Sequence, residues 1–592
     1  MANYYSKERN ILILVALLKE HGIKKVIASP GTTNLSFVAC LQCDPFFEIY
    51  SCVDERSAGY IACGLAAETG EPVVITCTGA TASRNYVSAL TEAYYRKLPI
   101  LAVTGTQSTD RIGQLHSQLI DRSQIQKDIA KLSVEVRSVN TDEEAHDAAI
   151  YINKALTELT RNGGGPVHIN LRTRYIRDYS VKELPKVQVI KRFDYSTIDL
   201  MPEMPTGKIG IFVGSHKTFS PKQTEAIDNF CASRDAIVLC DHTSGYYGKY
   251  KVNFSLVASQ TNYKSNNLLL DLCIHIGEIS AEYGTLGYMP QSKRVWRVSN
   301  DGEIRDQFYK LDSVFALEED DFFRYYTLED VEPQSSYYKS CQKEISEIQN
   351  KLPELPFSNI WIASILAPKL PKGACLHLGI LNSTRSWNLF QLDPSITSFA
   401  NVGGFGIDGG VSSLVGASLA DSSKLYFGVV GDLAFFYDMN VLGNRHLGRN
   451  VRILIVNNGK GTEFRNFYHP GALFGEDADK YMAAAGHFGN KSSKLVKDFA
   501  EDLGFRYISA STKEEFLEAY PEFVDAKMCD KPIVFEAFTN NVDESDALKK
   551  CWEIMYDTGG VVDAKITKLK VAARKIVGSN GIAFLKKILK NK

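Results

Sequence analysis

A chain of 592 residues is too long for one hydrophobic core, and at roughly 150 residues per domain it predicts three or four domains. Its 67 basic and 69 acidic residues nearly cancel, so bulk charge offers no footprint for nucleic acid. No segment reaches the roughly 18 uninterrupted apolar residues of a membrane span, and twelve cysteines scattered through apolar stretches suit a reduced, cytoplasmic protein.

The opening "MANYYSKERNILILVALLKEHG" lacks the basic start and small-residue cleavage site of a signal peptide, and Lys19 and Glu20 break its apolar run, so it predicts an amphipathic helix. Next come "KKVIASPG", "PVVITCTG", "PILAVTG" and "GPVHINL", short β-rich runs each followed by Gly or Pro and separated by helical patterns. Such alternation predicts a parallel sheet covered by helices, ending near Arg174. Cys40 and Cys43 form a CxxC with no second pair or His cluster, which favours plain packing. The polar, aperiodic stretch 181–208 reads as a linker. A second unit carries "IGIFVGS", "AIVLCD", "LCIHIGE" and "RVWRVSND". The acidic stretch 316–333 and "KLPELPFSN" mark another joint, and a third unit begins near Ile360. The expected division is 1–183, 184–353, 354–548 and a tail, 549–592.

One stretch of the third unit carries chemistry. In "VVGDLAFFYDMNVLGNRHLGRNVRILIVNNGKG" (Val429 to Gly461), an apolar strand ends in Gly431-Asp432 and the next ends in Asn457-Asn458-Gly459. Open α/β sheets bind ligands at the carboxyl ends of their strands. A carboxylate, an amide oxygen and a backbone carbonyl are hard ligands that suit Mg²⁺ or Ca²⁺ rather than zinc. Such a sparse set leaves positions for phosphate oxygens and water. Gly431 and Gly459 let the backbone approach a phosphate. Taken singly, Gly-Asp and Asn-Gly are common turns.

Together, Gly431-Asp432, a gap of about 25 residues and Asn457-Asn458 resemble the thiamine-diphosphate fingerprint. "SPGTTN" (Ser29 to Asn34), "VDERSAGYIACGLA" (Val53 to Ala66), "CTGATASRNYVSALTEAYY", "GPVHINL" and "NVGGFGIDGGVSSLVGASLA" (Asn401 to Ala420) fall in that family's order. The chain thus resembles thiamine-diphosphate-dependent enzymes of the acetolactate-synthase architecture. That resemblance implies an α/β fold of three doubly wound parallel-sheet domains (pyrimidine-binding, middle and diphosphate-binding), here followed by a basic helical tail. "GFGIDG" and "GDLAFFYDMNVL" are similar to the menaquinone-pathway synthases that join 2-oxoglutarate to isochorismate.

The resemblance implies thiamine diphosphate and Mg²⁺ as cofactors. It places the metal on Asp432, Asn458 and the carbonyl of Lys460. Gly431, Leu433 (where many members have Gly), Ala434, Asn458, Asn382 and Ser383 would meet the diphosphate end. Gly406 and its flanking backbone would bind the pyrimidine amino group, Ile407 would wedge the cofactor into its bent form, and Gly31, Thr78 and Gly79 are further expected cofactor contacts. Glu55 matches the activating carboxyl group, which shares a proton with the aminopyrimidine ring nitrogen. Gln118 in "GQLHSQLID" matches a loop near the reaction centre, and His116 lies two residues before it. The family's sites combine Glu55 of one subunit with Asp432 and Asn458 of its partner, so a homodimer or homotetramer is implied. The substrates would be a small-molecule 2-oxo acid donor and an acceptor. No flavin fingerprint is present in the middle unit.

The menaquinone-pathway synthases hold their carboxylates with arginines, where a guanidinium fits a carboxylate bidentately. At three of those positions this chain has Thr33, Trp387 and Val402. Asn34, Arg84, Arg385, Lys460 and Arg465 are the nearby polar candidates. The expectation is a decarboxylase and carboligase that keeps the cofactor chemistry and has changed its acceptor, Trp387 and Thr33 lining a less charged pocket. The alternative is the menaquinone-pathway reaction itself. A nucleotide-binding Rossmann protein is opposed by the missing GxGxxG, and a cofactor binder without turnover by the intact Glu55, Asp432 and Asn458. The last segment, 565–592, holds eight lysines, one arginine and no acid, and reads as basic amphipathic helices. Such helices suit an anionic membrane surface or the subunit's own surface.

Overall fold

The computed structural model describes residues 4–122, 125–488 and 491–556. The chain forms two compact units, one of residues 1–202 with 295–317 and the other of residues 203–294 with 318 onward. The expected tail, 549–592, lies outside the described residues from 557 on.

Three all-parallel sheets organise the chain. The first comprises β1 (Lys25–Ala28), β2 (Glu48–Ser51), β3 (Val73–Cys77), β4 (Ile100–Thr106), β5 (Leu132–Val136) and β6 (Val167–Arg172), in the order β2-β1-β3-β4-β6-β5. β3 and β4 are buried at every position, as continuous apolar runs must be where helices cover both faces. The second sheet has seven strands: β7 (Lys191–Asp194), β8 (Ile209–Val213), β9 (Ile237–Cys240), β10 (Lys251–Val252), β11 (Leu272–Ile276), β12 (Arg294–Val298) and β13 (Leu311–Ala316). Within it, β10-β9-β8-β11 form one run and β12-β13-β7 another. The third comprises β14 (Cys375–Leu378), β15 (Thr397–Ala400), β16 (Tyr426–Gly431), β17 (Val451–Asn457), β18 (Arg506–Ala510) and β19 (Ile533–Phe538), in the order β15-β14-β16-β17-β19-β18.

The first and third sheets share one strand order. In both, the order reverses between the first and third strands, which opens a crevice at their carboxyl ends. Helices between strands begin at legible signals. Thr141 and Glu144 form a capping box for helix Asp142–Glu158, and Asp54 caps helix Glu55–Thr69, which ends at Gly70 with φ 69°.

Two local expectations differ from the structure. The opening helix, Arg9–Glu20, is present, yet Asn10 through Leu18 are all buried, because it packs between helices Leu35–Gln42 and Asp142–Glu158. The stretch read as a linker contains strand β7, whose Phe193 is buried and stacks on Phe315 with ring centroids 5.4 Å apart. Four residues of edge strand carry too short a period to stand out from a polar stretch. No helix among the described residues is long and apolar enough to cross a membrane.

Candidate active site

In the second unit, β16 and β17 pair so that Gly431 faces Val456. Asp432 therefore begins the helix after β16, and Asn458 begins the turn after β17. Asp432 is buried, and burial pushes its carboxyl group up to about 7 against the lowering pull of nearby backbone amides. The two asparagines divide the work. Asn457 donates its amide to Glu536 at 2.6 Å and accepts from the Gly459 N–H at 3.1 Å, which fixes the turn. Asn458 leaves its Oδ1 buried without a hydrogen-bond partner. A buried acceptor left open is costly unless something outside the chain completes it. Gly459 has φ 75°, a left-handed conformation glycine adopts without strain. Among the described residues no group of three His, Cys, Asp or Glu would hold a metal. The donors expected here, one carboxylate, one amide oxygen and the Lys460 carbonyl, are hard oxygen ligands of the kind that suits Mg²⁺.

The other third-sheet candidates surround these strand ends. Leu433 and Ala434 occupy the first turn of helix Asp432–Asp438, half-buried. Asn382 and Ser383 open the helix after β14, behind Leu381, which is held at φ 64°, ψ −115°. In the first sheet, Ala80, in the turn after β3, has φ 58°, ψ −133°. Both are non-glycine residues held in sparsely populated backbone just before a helix that follows a strand, where geometry outweighs local strain. Gly406 and Ile407 lie in the loop after β15, exposed and half-buried respectively.

The cations expected to compensate for missing arginines are already engaged. Arg385 makes a bidentate pair with Glu463 at 2.8 and 3.1 Å, bonds Asn382 and lies over the Tyr468 ring. Lys460 pairs with Asp479 at 2.6 Å, and Arg465 binds the same carboxylate. Trp387 has no exposed surface and Val402 is buried, so neither presents a side chain to solvent.

In the first unit, Glu55 is the first residue of its helix, just past β2, and accepts from Asn85 Nδ2 at 3.1 Å. Gly31 lies so near Thr78 that an added Cβ would stand 2.6 Å from the Thr78 Cβ. Thr33 is saturated: its hydroxyl bonds Thr78 and the Gly105 carbonyl and receives the Gly79 N–H. Asn34 donates to the Ser29 carbonyl and leaves its own Oδ1 buried and unpartnered, beside a cavity of about 370 Å³ lined in part by Gly31 and Leu35. His116 and Gln118 are exposed, and Gln118 has φ 57°. Asn85, Glu463 and Asp479 were missed by sequence reasoning. Their roles depend on partners 14 to 78 residues away, so no local motif announces them.

The comparisons with known proteins identify the chain as a thiamine pyrophosphate enzyme. Residues 12–126 match the family described as "Thiamine pyrophosphate enzyme, N-terminal TPP binding domain". The chain is 31% identical over 572 residues to the 2-succinyl-5-enolpyruvyl-6-hydroxy-3-cyclohexene-1-carboxylate synthase of Bacteroides fragilis, covering 92% of this chain and 98% of that one. It is 32% identical over 566 residues to the protein of the same name from Bacteroides thetaiotaomicron, with the same coverages. A solved thiamine diphosphate-dependent 4-hydroxybenzoylformate decarboxylase from Rhodococcus jostii RHA1 aligns with a TM-score of 0.40 at 17% identity, over 90% of this chain and 99% of that one. The chain belongs to the family of the 2-succinyl-5-enolpyruvyl-6-hydroxy-3-cyclohexene-1-carboxylate synthases.

Proposed function

We propose that this protein adds a decarboxylated 2-oxo acid to an acceptor, and that the reaction is the one for which its relatives are named, 2-oxoglutarate with isochorismate. The relatives' names favour this over the changed acceptor expected from sequence. The observation that carries the cofactor reading is the open, buried Asn458 Oδ1 just after β17, the strand paired with the one that ends before buried Asp432. Asp432, Asn458 and the Lys460 carbonyl would hold Mg²⁺, and through it the diphosphate. Thiamine diphosphate supplies the electron sink that decarboxylation of a 2-oxo acid needs.

The chain's own residues do the rest. Glu55 holds a proton at the aminopyrimidine ring nitrogen, and Asn85 orients that carboxyl group. Ile407 and Gly406 set the conformation and hydrogen bonding of the pyrimidine end. His116 and Gln118 project from their own unit and would serve a partner subunit's site, which makes a homodimer the minimal active form.

The test follows isochorismate absorbance and product mass with 2-oxoglutarate present. Formation of the succinyl-cyclohexene adduct supports the reading. A second reading, a less acidic acceptor, is favoured by the uncharged Thr33, Trp387 and Val402 and by the neutralised Arg385, Lys460 and Arg465. Decarboxylation of 2-oxoglutarate with no loss of isochorismate would favour that reading instead.

A further inference from the structure

A cavity of about 340 Å³ lies in the second unit, and none of the residues expected to hold the metal lines it. One wall is Ser215, His216 and Lys217, just after β8, with Thr243 after β9. The other is the end of β15 and the turn through Val402 and Gly403. The walls are tied together. The His216 N–H donates to the Thr243 carbonyl at 3.1 Å, the His242 N–H donates to Asn388 at 3.0 Å, and Ser398 bonds the His242 carbonyl. The Val402 wall runs directly into Gly406 and Ile407. Four residues of chain span at most roughly 14 Å, so the cavity opens within a substrate's length of the expected pyrimidine contacts.

Its electrostatics are one-sided. No lining residue is acidic. His216 is engaged, 3.3 Å from Glu319 and 2.6 Å from the Lys217 carbonyl, with its ring stacked on Phe219. That arrangement fixes the loop and leaves the exposed Lys217 ammonium without a partner among the described residues. The position across the cavity from this loop is Val402, where the resemblance to the menaquinone-pathway synthases implies an arginine. The candidate replacements nearer the diphosphate end, Arg385, Lys460 and Arg465, are spent on Glu463 and Asp479.

We propose that this cavity is a carboxylate subsite for the acceptor, with Lys217 supplying from the middle sheet the positive charge absent at Val402. The inference rests on the reaction proposed above, and it names the residue that selects a carboxylate-bearing acceptor. An ammonium is a compact point charge, so the subsite would bind one carboxylate without the bidentate geometry of a guanidinium. Loss of that charge-assisted contact weakens binding by about tenfold to a hundredfold.

The test uses the full-length holoenzyme, with thiamine diphosphate and Mg²⁺, as wild type, K217A and K217R. Steady-state kinetics with isochorismate varied at saturating 2-oxoglutarate are paired with calorimetry of isochorismate binding in the absence of donor. The expected result is a KM and Kd for isochorismate raised by about tenfold or more in K217A, a much smaller change in kcat, and recovery in K217R. Thermal unfolding of each variant checks that the fold is intact. Wild-type turnover with unchanged KM and Kd in K217A overturns the subsite and leaves the reaction standing. A wild-type enzyme that neither binds nor consumes isochorismate overturns the reaction and the subsite with it.

Discussion

Asn457 and Asn458 are neighbours with opposite fates: the first spends its side chain on Glu536 and the Gly459 amide, and the second keeps a buried oxygen open. The first bonding set shapes the turn that presents the second. Asp432 follows the paired strand, so a buried carboxylate and an open amide oxygen stand at the carboxyl ends of two adjacent central strands.

Asp432→Ala is therefore expected to lower Mg²⁺-dependent affinity for thiamine diphosphate by more than about a hundredfold while the chain still folds. The substitution removes a charged ligand at a strand end rather than a core side chain. Calorimetry measures the affinity, and unchanged binding would exclude the site.

Glu55→Gln is expected to retain cofactor binding and lose about a hundredfold or more of activity, because an amide cannot pass the same proton to the ring nitrogen. Proton exchange at cofactor C2, followed by NMR after rapid quenching, should slow in parallel. Equal exchange rates in the variant and the parent would remove Glu55 from the mechanism.

Glu463→Gln leaves Arg385 largely buried without its carboxylate. Burial pushes the Glu463 carboxyl up, but the Arg385 guanidinium outweighs that and holds it below the usual range. Breaking such a pair costs about 3–5 kcal/mol. Urea denaturation should show that loss, and replacing both partners by apolar residues of similar volume should restore part of it. A midpoint unchanged in Glu463→Gln would show that the pair contributes nothing.

Glu544 supplies a pH signature. It accepts from Thr539 and from the Asn359 N–H, yet burial pushes its carboxyl up from 4.5 to about 7. Between those values the folded chain holds a proton that the unfolded chain has released. Stability should therefore fall as pH rises from about 4.5 through 7 and level off above it, by an amount on the order of 3 kcal/mol. Glu544→Gln should flatten that slope. Parallel stability profiles for the two proteins between pH 5 and 8 would show that Glu544 is ionised throughout.

The parallel sheets and the order of the cofactor motifs were legible in the sequence. Apolar runs such as Val73–Cys77 and punctuation such as Gly431-Asp432 are properties of consecutive residues, and a strand puts its next residue at the carboxyl end of the sheet whatever surrounds it. The placement of Glu55, Asp432 and Asn458 just past strand ends follows for that reason. Tertiary structure alone decided which charges are free. Arg385 and Glu463 are 78 residues apart, and Arg465 meets Asp479 across 14, so a cation that looks available in one dimension is neutralised in three. It also decided that Trp387 is core rather than pocket wall, that the Thr33 hydroxyl is fully bonded, and that four residues of an apparent linker join a sheet beside β13. Burial and ion pairing depend on distance in space, and only the packed chain sets that distance.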